Sequence, residues 1–231
     1  MATIRALWDS KGQLVNRDSP YFPLRNALFA LPPYRGRWPE IWIAAHGPRM
    51  LRATGRYADG FFPGAPHSPQ EYAARLDAVR TAASDAGRDP MAIVPAMWIA
   101  VLTGRSRGEV DEALESQVIR STGLLASDEF FAAHGAQHPL GAGFSGAQDI
   151  LPQDIDEQTA LSLIKAVPRS VVADMMLNGT PDEVVEQAAQ WRDHGVRYLV
   201  LANMGMMQRS LRNGLAAMPA FTRVVHRLKK L

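Results

Sequence analysis

Three observations predict an α/β fold of parallel strands joined by crossover helices. Apolar runs of strand length recur, each is paired with an amphipathic stretch, and one helix-start signature returns three times along the 231 residues. Ile4, Leu7 and Trp8 open the chain with helical spacing, in a helix that reads as already under way at Met1. The expectation is therefore a chain that begins inside a fold. The run Ile41 to Ala45, rich in Ile and Trp, suits a strand buried on both faces. Gly47 then permits unusual backbone angles and close ligand approach, and Pro48 fits the first helical position, where no amide hydrogen is needed. In the helix that follows, Met50, Leu51, Thr54, Tyr57 and Ala58 share one side, and Arg49, Arg52 and Arg56 share another. Asp59 and Gly60 break the pattern around a second strand at Ala58 to Phe62, which Pro63 and Gly64 stop.

The later elements carry clearer punctuation. Ser68 to Glu71, Ser106 to Glu109 and Thr180 to Glu183 each fit a capping box, in which the first and fourth residues satisfy each other's backbone donors. The first begins an Ala-rich helix to about Ala86, stopped by Gly87-Arg88-Asp89-Pro90 and followed by a strand near Ile93 to Leu102. The third begins a helix with Val184, Val185, Ala188 and Trp191 on one side, ended by Gly195 and followed by a strand at Arg197 to Ala202. Between Glu109 and Asn178 no strand is expected, and residues 104–178 read as a helical and irregular insertion. Four strand–helix units result, half of the eight in a (β/α)₈ barrel, within a single domain spanning 1–231.

Composition narrows the class without choosing a chemistry. A chain 47% hydrophobic and 21% charged is an ordinary globular one with enough length for a core. Its net charge of +2, with no basic run beyond Arg227, Lys229 and Lys230, argues against a nucleic-acid footprint. With no cysteine there is no disulfide, no thiolate metal site and no cysteine nucleophile. No apolar stretch approaches the ~20 residues that cross a bilayer, and a cytoplasmic location is expected.

Several motifs invite a sharper reading. Free amides at the helix start after Gly47, together with the helix dipole, favour an anion by roughly 0.3 to 1 kcal/mol when exposed and about 2 kcal/mol when partly buried. The same Gly-Pro pair is equally a plain strand-to-helix turn. Gly141, Gly143 and Gly146 spell G-x-G-x-x-G, yet no strand precedes them, so a loop is expected rather than a dinucleotide site. His134 and His138 have the i, i+4 spacing of metal pairs, but Gly135 intervenes, Pro139 follows and the partner Glu of that motif is absent. Metal is therefore not expected. Ser145 misses the G-x-S-x-G nucleophile elbow by one position. Met204, Met206 and Met207 fit either an adaptable core or a pocket for an apolar chain.

The segments IWIAAHGPRMLRATGRYADGFFP, SDAGRDP and NGTPDEVVEQAAQWRDHGVRYLVLAN resemble the second half of the bacterial-luciferase-like superfamily of (β/α)₈ oxidoreductases. Within it, the closest branch uses the deazaflavin coenzyme F420, and ATIRALW, SPYFPLRNALF and LPPYRGRWPEIW extend the likeness to its ketoreductases acting on waxy lipids. The resemblance implies that the backbone of Ala44, Ala45, His46, Gly47 and Pro48 holds the coenzyme's side-chain phosphate. Relatives usually carry a small residue where this chain has His46, whose ring either adds a donor to the phosphate or crowds it. The reaction implied is hydride delivery from C5 of the reduced deazaflavin to a lipid ketone, with a protein-supplied proton.

The family's ring-binding and acid–base residues belong to the first four barrel strands, so no catalytic residue is assigned. Trp98, His67 and Asn203, at strand ends, are candidates for contact with substrate or ring; core Trp, loop His and turn Asn are the plain alternatives. Three functional readings follow: an F420-dependent ketoreductase of lipid metabolism, an FMN-dependent monooxygenase of the same superfamily, or an inactive half-barrel. An open half-barrel exposes strand edges and interior, so a homodimer or a complementing half-barrel is an expected partner.

Overall fold

Parallel strands have no tight-turn connection, so each must be followed by a crossover, and this chain supplies one after every strand of its parallel sheets. The structure, a computed structural model, describes residues 1–64, 68–207 and 211–231. The elements in order are α1 (Ala2–Trp8), β1 (Val15–Arg17), β2 (Leu24–Ala27), β3 (Trp42–Ile43), α2 (Pro48–Tyr57), β4 (Gly60–Phe61), α3 (Pro69–Asp85) and β5 (Val94–Thr103). Then come α4 (Arg107–Leu114), α5 (Gln117–Ser121), α6 (Asp128–Ala133), α7 (Glu157–Ala166), α8 (Arg169–Asp174), β6 (Met176–Gly179), α9 (Pro181–Asp193), β7 (Tyr198–Asn203) and α10 (Leu211–Leu228). The chain divides into two compact units, Met1–Phe62 with Arg75–Val94, and Pro63–Ala74 with Pro95–Leu231.

In the first unit, β3 and β4 pair in parallel, with Trp42 opposite Gly60 and Ile43 opposite Phe61. Both strands are shorter than the apolar runs suggested, because Ala44 and Ala45 already belong to the turn and Ala58 caps α2. Asp59 ties the start of β3 to the end of α2. Its carboxylate accepts the Ile41 N–H at 2.9 Å and lies 3.4 Å from Arg5 and 3.7 Å from Arg88. The same arginines donate to the last carbonyls of α2: Arg88 to Gly55 and Ala58 at 2.6 and 2.7 Å, Arg5 to Tyr57 at 2.6 Å. Cations at a helix carboxyl end complement its dipole as well as its unpaired carbonyls. Gly55 brings α2 hard against α3, where any added Cβ would collide with the Val79 carbonyl and sit 2.7 Å from Ala82 Cβ. The first forty residues, from which only one helix was expected, also hold the antiparallel pair β1 and β2, with Val15 opposite Ala27.

In the second unit, β5 is flanked in parallel by β7, from Ala96 opposite Tyr198 to Val101 opposite Asn203, and by β6, from Ala100 opposite Met176 to Thr103 opposite Gly179. It is buried almost throughout, as a strand covered on both faces must be. The strand β6 corrects the expectation of a strandless span up to Asn178. Four residues with no β-branched member carry no local signal, and their strand character comes from pairing with β5. Helices α4 to α8 occupy the expected helical stretch, and Val110, Leu114, Ile119, Phe131, Val167 and Val172 pack with Ala100 and Leu102 of β5. An ionic net joins α4 to α8, with Asp111 accepting from both Arg107 and Arg169. The capping boxes at Ser68 and Thr180 form, each Glu accepting the cap residue's own N–H at 2.7 Å. At Ser106 only half forms: its hydroxyl accepts from Glu109 N–H, but the Glu109 carboxylate turns to Arg105.

The contact at Gly55 predicts that Gly55→Ala destabilises the chain by about 1 to 3 kcal/mol, since the neighbouring atoms include backbone that cannot yield. Urea unfolding followed by circular dichroism measures it, and an unchanged midpoint contradicts the close approach.

Candidate functional site

The turn between β3 and α2 is the site the sequence singles out, and its shape follows from three small residues and one proline. Ala45 is fully buried and anchors the loop, while Ala44, His46, Gly47 and Pro48 are exposed. Gly47 is the N-cap of α2, with φ −85° and ψ 158°. These are ordinary extended angles, so the expected need for unusual backbone geometry is corrected: any residue adopts them. The value of glycine here is what it lacks. It offers no capping side chain, and a Cβ at this position meets nothing within 4 Å. The first intrahelical bond runs from Leu51 N–H to the Gly47 carbonyl at 3.0 Å, so the amides of Arg49 and Met50 precede the ladder. Open space, unladdered donors and the positive end of the helix dipole coincide, which is the make-up of an anion site.

Two side chains add to it. His46 Nδ1 lies 3.3 Å from an Arg75 guanidinium nitrogen. Arginine only donates, so Nδ1 accepts and the ring is the neutral tautomer carrying its proton on Nε2. Desolvation, and after it the charge of Arg75, hold the His46 pKa below the usual histidine value. The reading from sequence missed Arg75. It comes from α3, 29 positions along the chain, beside the buried face of Tyr72, Leu76 and Val79, and nothing in the local pattern of the turn points to it.

The other strand-end candidates lie in the second unit. Trp98 stands on β5 with its side chain 40% exposed, between the fully buried Met97 and the nearly buried Ile99, and Gly64 bridges to it. Asn203 ends β7, where its Oδ1 accepts the Gly205 N–H at 3.0 Å and its amide nitrogen lies 3.5 Å from Met218 Sδ. That is the turn role. Trp98 is opposite Val200, three positions from Asn203, so the two are about 10 Å apart along the sheet. His67 lies outside the described residues. At the carboxyl end of β5, Thr103 is buried with a hydroxyl that has no partner among the described residues, a feature no spacing rule could reveal.

Motifs set aside on sequence grounds have structural explanations. His138 is buried, stacked on Phe144 at 4.1 Å, accepts from Leu140 N–H at Nδ1 and faces the Leu124 carbonyl with Nε2. Burial holds its pKa down, and it is a satisfied core ring. Among the described residues there is no cluster of His, Asp and Glu able to hold a metal. Gly141, Gly143 and Gly146 all take positive φ in a loop with no preceding strand, and Ser145 is tied to Asp149. Met204 packs in the core, whereas Met206 and Met207 are exposed.

Residues 1–198 match the luciferase-like monooxygenase family. The chain belongs to that family. A phthiodiolone/phenolphthiodiolone dimycocerosates ketoreductase from Mycobacterium sp. (strain JLS) is 65% identical over all 231 residues, which make up 60% of that protein. The luciferase-like chain therefore spans about 60% of the length of the curated relatives it matches. Among solved structures, the coenzyme F420 dependent tetrahydromethanopterin reductase from Methanopyrus kandleri superposes with TM-score 0.71 at 15% identity, covering 98% of this chain and 62% of that one. An F420-dependent secondary alcohol dehydrogenase in complex with an F420-acetone adduct gives 0.67 at 18% identity, covering 96% and 59%. The strand–helix units described here are thus part of a luciferase-like (β/α)₈ barrel.

The geometry around His46 sets a pH dependence. A histidine whose folded pKa is depressed binds fewer protons than the unfolded chain, so its contribution to stability is complete above the unfolded value near 6.5 and is lost as pH falls through the window down to the folded pKa. In an NMR titration the His46 ring should protonate below the usual histidine value, and Arg75→Met should raise its pKa. A His46 that titrates normally in both proteins contradicts the contact.

Proposed function

We propose that this luciferase-like chain serves an F420-dependent reduction of a ketone on a long apolar lipid, with the turn Ala44 to Pro48 holding the coenzyme's side-chain phosphate. The observation that carries this reading is the uncapped, open amino end of α2 with Arg75 and His46 beside it. The 65% identity to a named ketoreductase, over all of this chain and 60% of that protein, supports the substrate class. When bound, the deazaflavin supplies a hydride to the substrate carbonyl carbon.

The chain's own residues then have definable tasks. The Arg49 and Met50 amides donate to phosphate oxygens, and Gly47, lacking a side chain, admits them to hydrogen-bond distance. Arg75 supplies a fixed positive charge without a proton equilibrium. His46, with Nδ1 toward Arg75, carries its proton on Nε2, so a histidine in place of a small residue is chemically compatible with an anion. The exposed ring of Trp98 offers an apolar surface to a ring or lipid chain at the sheet.

Calorimetric titration of the chain with oxidised F420 and, separately, with FMN tests the reading. F420 should bind, and Gly47→Val should weaken it about tenfold or more by crowding the donors, while the fold survives because the new side chain meets open space. F420 affinity should also rise as pH is lowered below the usual histidine value, where His46 protonates, since an anion favours the protonated ring. Binding of FMN but not F420 overturns the coenzyme assignment; F420 binding that ignores Gly47→Val overturns the turn's role.

A further inference from the structure

The hairpin β1–β2 and the chain that follows it, all within the first unit, expose an unusual amount of apolar surface. Tyr21 and Phe22, at the tip of the hairpin, are 84% and 70% exposed, and Tyr34 is 75% exposed. Leu14 and Leu28 are exposed just beyond the paired positions Val15 and Ala27, and Leu31 is exposed between hairpin and Tyr34. Single exposed apolar residues are ordinary, but six between Leu14 and Tyr34 form a concentration that water does not favour. This is not the looseness of an unanchored arm. Trp8 of α1 stacks on Trp38 with ring centroids 5.3 Å apart, Phe29 packs on the same ring at 5.7 Å, and the Asn16 and Asn26 side chains clasp the two strands.

The charges on this lobe are one-sided. From Lys11 to Arg37 there are five basic residues and one acidic one, a net of +4 in a chain whose total is +2, so the rest of the chain carries −2. Asp18 is already paired with Arg25 at 2.6 Å, which leaves the exposed Lys11, Arg17, Arg35 and Arg37 without a nearby counter-charge of their own segment.

We infer that this lobe docks on an anionic phospholipid surface, with Tyr21, Phe22 and the exposed leucines entering the headgroup boundary and the four basic residues facing lipid phosphates. Aromatic and aliphatic side chains interleaved with Lys and Arg are the composition that lies in a membrane interface, and each basic residue near such a surface adds a factor of roughly fivefold to partitioning. A second copy of the chain is disfavoured, because a two-fold contact sets +4 against +4. Nucleic acid would use the cations but leave Leu14, Leu28 and Leu31 with nothing to bury against. The inference needs no coenzyme and stands apart from the turn at Gly47. If the substrate is a lipid, it also places the chain where lipids are.

Vesicle co-sedimentation tests it, using the whole chain with phosphatidylcholine vesicles and with vesicles that also contain phosphatidylglycerol. Binding is expected to the anionic vesicles, weaker to the neutral ones, and reduced by salt. The double variants Tyr21→Asp with Phe22→Asp, and Arg35→Glu with Arg37→Glu, should each lower anionic partitioning about tenfold or more. These side chains are exposed, so circular dichroism should be unchanged. Equal sedimentation of wild type and both variants overturns the inference. So does neglect of the vesicles combined with dimerisation, in analytical ultracentrifugation, that the Tyr21 and Phe22 changes abolish.

Discussion

Parallel pairing is the constraint on which the rest of this molecule depends. A parallel strand must be buried on both faces and must be followed by a crossover, so its carboxyl end always opens into a loop that starts a helix or helical segment. In the first unit that rule produces β3, the turn Ala44 to Gly47, and α2, in one step. In the second it makes β5 the strand on which both β6 and β7 are aligned. Strand ends are therefore where backbone donors and polar groups collect, and the open amino end of α2 and the Thr103 hydroxyl, without a partner among the described residues, both sit there.

The crossover is held by charge as much as by packing. Asp59 accepts the first amide of the strand segment while Arg5 and Arg88 satisfy the last carbonyls of α2, so the carboxyl end of the helix is closed by side chains. The amino end is left open: Gly47 has nothing to cap with. A helix secured at one end and open at the other presents its positive end to solvent at a fixed place, and Arg75 with His46 adds charge and a donor there. Toward an anion such contacts position rather than catalyse, and their strength is modest.

How much was legible varies with the range of the interaction responsible. The strand at Ile93 to Leu102 was readable because a long β-branched and aromatic run is unusual outside a buried strand, and it lies within a residue of β5. The boxes at Ser68 and Thr180 were readable because both partners lie three positions apart. At Ser106 the same spelling misled by half, since Arg105 competes for the Glu109 carboxylate. The unusual backbone expected at Gly47 is absent: its angles are ordinary, and only the space around it distinguishes it. The short β6 and the β1–β2 hairpin were illegible because their pairing, not their composition, makes them strands.

By itself the sequence determined what local chemistry determines: helix starts at hydroxyl-to-carboxylate boxes, the apolar β5 and β7, the Gly-Pro turn after β3, and family membership through motifs that are contiguous in the chain. Tertiary structure alone decided which groups meet across distance. It brought Arg75 to His46, Arg88 to the end of α2 and Gly55 to Val79, left the Thr103 hydroxyl buried without a described partner, and exposed Tyr21 and Phe22 beside a one-sided set of cations. The physical reason is range: capping and periodicity act over four residues and are written in the chain, whereas burial, ion pairing and exposure arise only when distant segments close on one another.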